Sequence, residues 1–314
     1  MSAVTPHAVA VGVFDGVHRG HQRILERARE RARREGAGFA VVTFEPHPDA
    51  VLGKAAPQPP LTPIGEKREL FERAGADRVE VLHFDRVMAG MEPEDFVRRY
   101  LIDGLGLVHL TAGQDFALGK NRKGTMAYLA DLGARWGFSV EAVPLLLDPD
   151  GPVSSTRIRQ FLGAGRVEDA ARLLGRPYRL EAQVVRGQGV GRDLGFPTAN
   201  LELLEHQMMP ADGIYAVWVT TPDGARRQGA MSIGKRPTMG DVPHAVEVFV
   251  LDYEGELVAR PLVVDFVSWI REEKRFASRD ELSRAIAADV IAVRQRLAEA
   301  GEPPRPAAAA RRTG

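Results

Sequence analysis

From His7 to about Phe138 the chain alternates short apolar, β-rich runs with segments whose apolar residues recur at helical spacing. The runs His7–Asp15, Gly38–Glu45, Arg78–Phe84, Leu107–Gly113 and Phe138–Pro144 predict strands. Between them His21–Arg34, Thr62–Ala74, Pro93–Leu101 and Gly124–Trp136 predict helices, the second with Thr62 as cap and Pro63 at its first helical position. Such alternation implies parallel strands joined by crossover helices, a doubly wound α/β domain whose ligands bind beyond the carboxyl ends of the strands. The Pro-rich stretch Pro46–Pro60 predicts a long loop at that edge, placed to close over a substrate.

Two short helices, Ser155–Leu162 and Val167–Leu174, end at Gly175-Arg176-Pro177, and there the pattern changes. Tyr178–Arg186, Gly213–Thr220, Arg227–Ile233, Ala245–Leu251 and Pro261–Trp269 read as short strands separated by turns, which predicts a small antiparallel barrel. Leu282, Ile286, Val290 and Leu297 fall near helical spacing across Ser278–Ala298, an amphipathic helix to pack on that barrel. Gly301–Gly314, rich in Pro, Ala and Arg, reads as a disordered tail. The expected organisation is an α/β domain over 1–176, a barrel domain over 177–300 and a tail over 301–314.

The length of 314 residues suits two domains, each large enough to bury its own core. With 42 basic and 42 acidic side chains there is no global field to recruit nucleic acid or an anionic membrane, so neither is an expected partner and any anion site must be local. Cysteine is absent, which excludes disulfides, thiolate metal sites and a cysteine nucleophile. Met1 to His7 holds no basic region leading into an apolar stretch, and no segment has bilayer-spanning length, so a cytoplasmic protein is expected. Nothing in the sequence sets its oligomeric state.

Two segments carry the chemistry of an anion site. In Ala10-Val11-Gly12-Val13-Phe14-Asp15-Gly16-Val17-His18-Arg19-Gly20-His21 a strand runs into a glycine-punctuated turn and then a helix. Gly12, Gly16 and Gly20 let backbone approach phosphate oxygens, the helix start aims free N–H groups at them, and His18 and His21 can donate from the same turn. Alone, the pattern also describes an ordinary strand-to-helix turn with two surface histidines, or a His-x-x-His metal site for which no further ligands are visible. In Val153-Ser154-Ser155-Thr156-Arg157-Ile158-Arg159 three hydroxyls meet at a helix start with two arginines behind them, which serves either as a cap or as a phosphate cradle.

A His-x-Gly-His turn early in an α/β domain and a Ser-Ser-Thr-x-x-Arg helix start late in it together resemble the nucleotidyltransferase superfamily. With Phe14-Asp15-Gly16 and Thr43-Phe44-Glu45-Pro46-His47-Pro48 the resemblance narrows to the adenylyltransferase half of bacterial bifunctional riboflavin kinase/FAD synthetases. Gly189-Val190-Gly191-Arg192-Asp193-Leu194-Gly195-Phe196-Pro197-Thr198-Ala199-Asn200 resembles the riboflavin kinase signature of the same family, so the likeness covers about residues 7 to 300.

That resemblance implies riboflavin, FMN and ATP as substrates. In the kinase half Glu247 matches the base that activates the ribityl 5′-hydroxyl, although as a residue of an alternating strand it also suits a polar sheet face. Thr198 and Asn200 match the ligands of the Mg2+ that accompanies ATP, or, without the resemblance, a turn with Asx-type hydrogen bonds. Gly189, Gly191 and Arg192 would cradle the nucleotide, and Arg271 and Glu272 match the flavin-side segment, in a charge run that otherwise reads as a solvated face. In the adenylyltransferase half the resemblance assigns Gly12, Phe14, Asp15, Gly16, His18, Gly20 and His21 to the nucleotide on one side, and Ser154, Ser155, Thr156 and Arg157 to its phosphates on the other. His21 and Arg157 are the candidate catalytic groups there, and Asp115 and Phe116 border the flavin pocket. The sequence departs from the family where Leu118 replaces a second aromatic, Val13 an Asn, and Val258-Ala259 a Tyr-Gly pair. A chain with one surviving activity, or a non-catalytic flavin-binding module, are the rival readings. The intact Thr198, Asn200, Glu247, His21 and Arg157 oppose the latter.

Overall fold

The computed structural model describes residues 5–53, 58–187, 195–234, 245–274 and 276–302. They form two compact units that divide at Ser155/Thr156.

The first unit runs β1 (His7–Val11), α1 (Arg19–Glu35), β2 (Gly38–Glu45), α2 (Ile64–Arg73), β3 (Arg78–His83), β4 (Leu107–Gly113), α3 (Met126–Trp136) and β5 (Ser139–Val143). The strands are parallel in the order β3-β2-β1-β4-β5. Every residue of β1 is buried, as a central strand covered on both faces requires. Ala8, Ala10, Phe39 and Val41 pack against Leu25 and Ala28 of α1 and Phe71 of α2, while Val9, Val11, Ala40 and Val42 pack with Leu129 and Leu132 of α3. The strand order reverses direction between β1 and β4, which opens a crevice beyond their carboxyl ends.

Local differences from the sequence expectations have local causes. The first strand stops at Val11 rather than Asp15, because Phe14 (φ 51°) and Val17 (φ 40°) adopt left-handed backbone that no strand accommodates. The helix expected over Pro93–Leu101 continues to Leu105 and passes through a π-helical segment, Val97–Ile102. Within Pro46–Pro60 a short helix, Pro48–Leu52, is capped by His47, whose Nδ1 accepts from the Asp49 amide at 3.1 Å.

The second unit carries most of α4 (Ser155–Gly163), then α5 (Val167–Leu174) and a closed antiparallel barrel. Its strands are β6 (Tyr178–Val185), β7 (Ala199–Leu203), β8 (Gly213–Thr220), β9 (Arg226–Gly234), β10 (Ala245–Val250) and β11 (Pro261–Arg271), in the order β6-β7-β10-β9-β8-β11. β7 had not been expected as a strand. The barrel interior is filled by Leu180, Val217, Met231, Val248, Val264 and Phe266, all without solvent exposure. Helix α6 (Arg279–Ala300) starts at Ser278, whose hydroxyl accepts from the Glu281 amide, and seats Val293 and Leu297 against Ala216 and Trp218.

Candidate active sites

At the carboxyl end of β1 the chain turns on Gly12, whose N–H still donates to the Val42 carbonyl at 3.1 Å. A Cβ on Gly12 would sit 2.9 Å from the Phe14 ring, so the turn is compact only because this residue is glycine. Phe14 meets both the His21 ring (5.4 Å) and the Phe71 ring (5.5 Å) edge-on. His18 caps α1: its Nδ1 accepts from the His21 amide at 3.3 Å, and the two imidazoles stack with centroids 3.5 Å apart. Burial, then the neighbouring His18 and Lys67, hold the His21 pKa well below its ordinary value of 6.5, so at neutral pH this imidazole is an uncharged hydrogen-bonding group. Gly20 leaves the helix mouth open; a Cβ there would lie 3.1 Å from His18.

Asp15 is buried, and its carboxylate accepts from the amides of Leu61 (2.9 Å) and Thr62 (3.4 Å). Its carbonyl accepts from the Ser155 hydroxyl at 2.8 Å. One residue thus ties the His turn to the approach to α2 and to the Ser-Ser-Thr segment. Across the crevice, Gly113 ends β4 and Asp115 follows in a tight turn closed by Phe116 N–H to Gly113 carbonyl, 2.9 Å. A Cβ on Gly113 would be 3.4 Å from Asp115 Oδ1 and 3.6 Å from Ile24 of α1, which places Asp115 beside the His-bearing helix. Phe116 is half-buried against the core, and Leu118, the departure from an aromatic, is buried within it. Thr156 and Arg157 follow Ser155 in the first turn of α4, where the Arg157 guanidinium lies 5.6 Å from the centre of the Phe161 ring.

On the barrel, Thr198 and Asn200 are two residues apart and line one cleft of about 720 Å3, together with Gly187, Tyr253 and Glu256. Asn200 stands opposite Glu247 in the β7–β10 register, and the Thr198 hydroxyl donates to Glu247 Oε2 at 3.0 Å. A Cβ on Gly187 would overlap the Asn200 amide, so glycine there makes the room this side chain occupies. Gly189, Gly191 and Arg192 lie outside the described residues. Glu272 is exposed. Arg271 is bound to Asp289 of α6 through two contacts, Nε–Oδ1 2.8 Å and Nη2–Oδ2 2.6 Å, and its Nη1 donates to the Glu272 carbonyl.

Family models for FAD synthetase and riboflavin kinase match residues 2–157 and 174–297. The chain is 43% identical to the bifunctional riboflavin kinase/FMN adenylyltransferase of Pseudomonas fluorescens, across 90% of this chain and 91% of that one. The chain belongs to the bifunctional riboflavin kinase/FMN adenylyltransferase family. The family's enzyme from Bacillus subtilis is 36% identical over 90% of this chain and 89% of its own. The crystal structure of a macrolide-efflux protein from Streptococcus pneumoniae superposes with a TM-score of 0.85 at 31% identity, covering 93% of this chain and 95% of that one. Among the described residues no helix is long and apolar enough to cross a membrane.

For a family member the donor set in the barrel is informative. No group of three His, Asp or Glu side chains that could cage a metal exists among the described residues. A hydroxyl and an amide oxygen side by side in a nucleotide-sized cleft suit Mg2+, which prefers few protein oxygens and completes its shell with phosphates and water. Sequence reasoning passed over Lys67, which is 3% exposed on α2. Its spacing four residues before Phe71, on the face that packs inward, was the available signal.

Proposed function

We propose that this chain phosphorylates riboflavin to FMN in its barrel and adenylylates FMN to FAD in its α/β half, with the functional boundary along the sequence between residues 176 and 177. The observation that carries this reading is the Thr198–Glu247 pair: the carboxylate accepts from one of two hard oxygen donors, Thr198 and Asn200, that line one cleft.

In the kinase reaction Glu247 accepts the proton of the ribityl 5′-hydroxyl as its oxygen attacks the γ-phosphorus of ATP. The Thr198 hydroxyl donates to Oε2 and so fixes the orientation of the carboxylate that takes the proton. Mg2+, when bound, would supply positive charge against the negative charge that develops in transfer. Thr198 and Asn200 would hold it, with Gly189, Gly191 and Arg192 along the nucleotide. Glu272 serves the flavin side, and Arg271 supports it by anchoring the segment to Asp289.

Adenylyl transfer needs no base, because the FMN phosphate is already an anionic nucleophile. Its oxygen bonds to the α-phosphorus of ATP while the bond to the pyrophosphate breaks and the electron pair leaves with it. Positioning and charge stabilisation supply the catalysis. Gly12, Phe14, Gly16 and Gly20 shape the turn, His18 and His21 donate hydrogen bonds, and Asp15 holds the turn to Leu61, Thr62 and Ser155. Ser154, Ser155, Thr156 and Arg157 act on the phosphates, and Asp115 and Phe116 border the flavin.

Incubation with riboflavin, Mg2+ and ATP, followed by chromatographic separation of the flavins, tests the assignment. His21→Ala should accumulate FMN and no FAD, and Glu247→Gln should make no FMN yet convert supplied FMN to FAD. Loss of both activities together in folded variants would refute the two-site reading.

A further inference from the structure

We propose that the Lys67 ammonium belongs to the adenylyl-transfer site, where it supplies from α2 the positive charge beside His21 that the departing pyrophosphate requires. The proposal rests on the reading of the β1–α1 turn as the ATP site.

Lys67 and Phe71 are four residues apart and share one face of α2. Phe71 is fully buried and packs edge-on against Phe14, which packs edge-on against His21. The start of this helix is pinned to the same turn by the Asp15 carboxylate on the Leu61 and Thr62 amides. The Lys67 face of α2 is therefore turned to the His turn, and its positive charge contributes, after burial and His18, to the lowered pKa of His21. Lys67 is 3% exposed, and a lysine buried to this degree is held by partners rather than left loose in solvent, so its ammonium has a fixed position.

The chemistry needs such a group. As the Pα–O bond breaks, negative charge gathers on the pyrophosphate, and an uncharged His21 can hydrogen-bond to it but cannot offset that charge. An ammonium already held in the protein interior needs no reorganisation to offset that charge. His18 and Lys67 are the charged or titratable groups acting on His21, so removing the lysine also makes that imidazole easier to protonate.

The test uses the full chain with Lys67→Met, Lys67→Arg and His21→Ala, and measures FAD formation from FMN across pH and FMN formation from riboflavin in the same preparations. Lys67→Met should lower kcat for FAD formation by about 100-fold, the scale of one lost transition-state donor. It should move the acid limb of that activity to higher pH and leave FMN formation intact. Lys67→Arg should recover all but about tenfold of the loss. An unmoved acid limb, an unchanged kcat, or equal defects in the Met and Arg variants would overturn the role of Lys67. Normal FAD formation by His21→Ala would instead remove the site reading itself, and the proposal with it.

Discussion

Arg271 decides between two jobs, contact with flavin and anchorage of α6, and the geometry favours the second strongly enough to calculate. Its guanidinium meets both oxygens of Asp289 at 2.8 and 2.6 Å, with side chains 21% and 10% exposed. Deleting one partner of a fully buried pair costs about 3–5 kcal/mol, and exposed pairs are worth about 0.2–1 kcal/mol. This partly shielded, two-contact pair lies between, so Arg271→Met should destabilise the barrel unit by about 2–3 kcal/mol. The double variant Arg271→Met/Asp289→Leu leaves no charge stranded and should fall short of the summed single effects by about 1–2 kcal/mol. Urea unfolding in a Trp136→Phe background reports the barrel unit through Trp218 and Trp269. Riboflavin KM should rise equally for Arg271→Met and Asp289→Leu, since each frees the same segment. Additive stabilities, with a raised KM in the arginine variant alone, would refute anchorage and return Arg271 to the flavin.

Glu247→Gln should cut FMN formation by about two to four orders of magnitude with little change in riboflavin KM, whereas Thr198→Val should show a defect partly relieved by raising Mg2+ in a titration. Ala259 sits at φ 60° in the turn that replaces the family's Tyr-Gly pair. Left-handed backbone costs a non-glycine residue roughly 1–2 kcal/mol, and glycine returns roughly 0.5–1 through its unfolded state. Ala259→Gly should therefore raise the barrel's urea midpoint by about 0.5–1 kcal/mol equivalent, and a lowered midpoint would contradict this. Folding holds His21 neutral, so below its ordinary pKa of 6.5 the unfolded chain gains a proton that the native chain resists. Stability should fall with pH through that window more steeply than in His21→Asn, as measured by urea unfolding at several pH values.

The doubly wound sheet was legible because its central strands β1 and β2 are buried on both faces and read as continuous apolar runs. Strand β7 was not, since Ala199-Asn200-Leu201-Glu202-Leu203 opens with residues of poor strand propensity and owes its conformation to pairing with β6 and β10. The two histidines, the Ser-Ser-Thr helix start and the Thr198–Asn200 pair were legible because their spacing is local. What stayed hidden depends on distant partners: Asp15 finds its amides 46 and 47 residues away, and Arg271 meets Asp289 on a helix beyond a charge run that reads as solvated. The burial of Lys67 likewise follows from how α2 packs, which a charged residue in a polar helix does not announce.

The cap that starts α1 also selects a tautomer. His18 accepts the His21 amide through Nδ1, so in its neutral form the ring hydrogen must reside on Nε2. A bond made to begin a helix thereby determines which nitrogen can donate to a ligand.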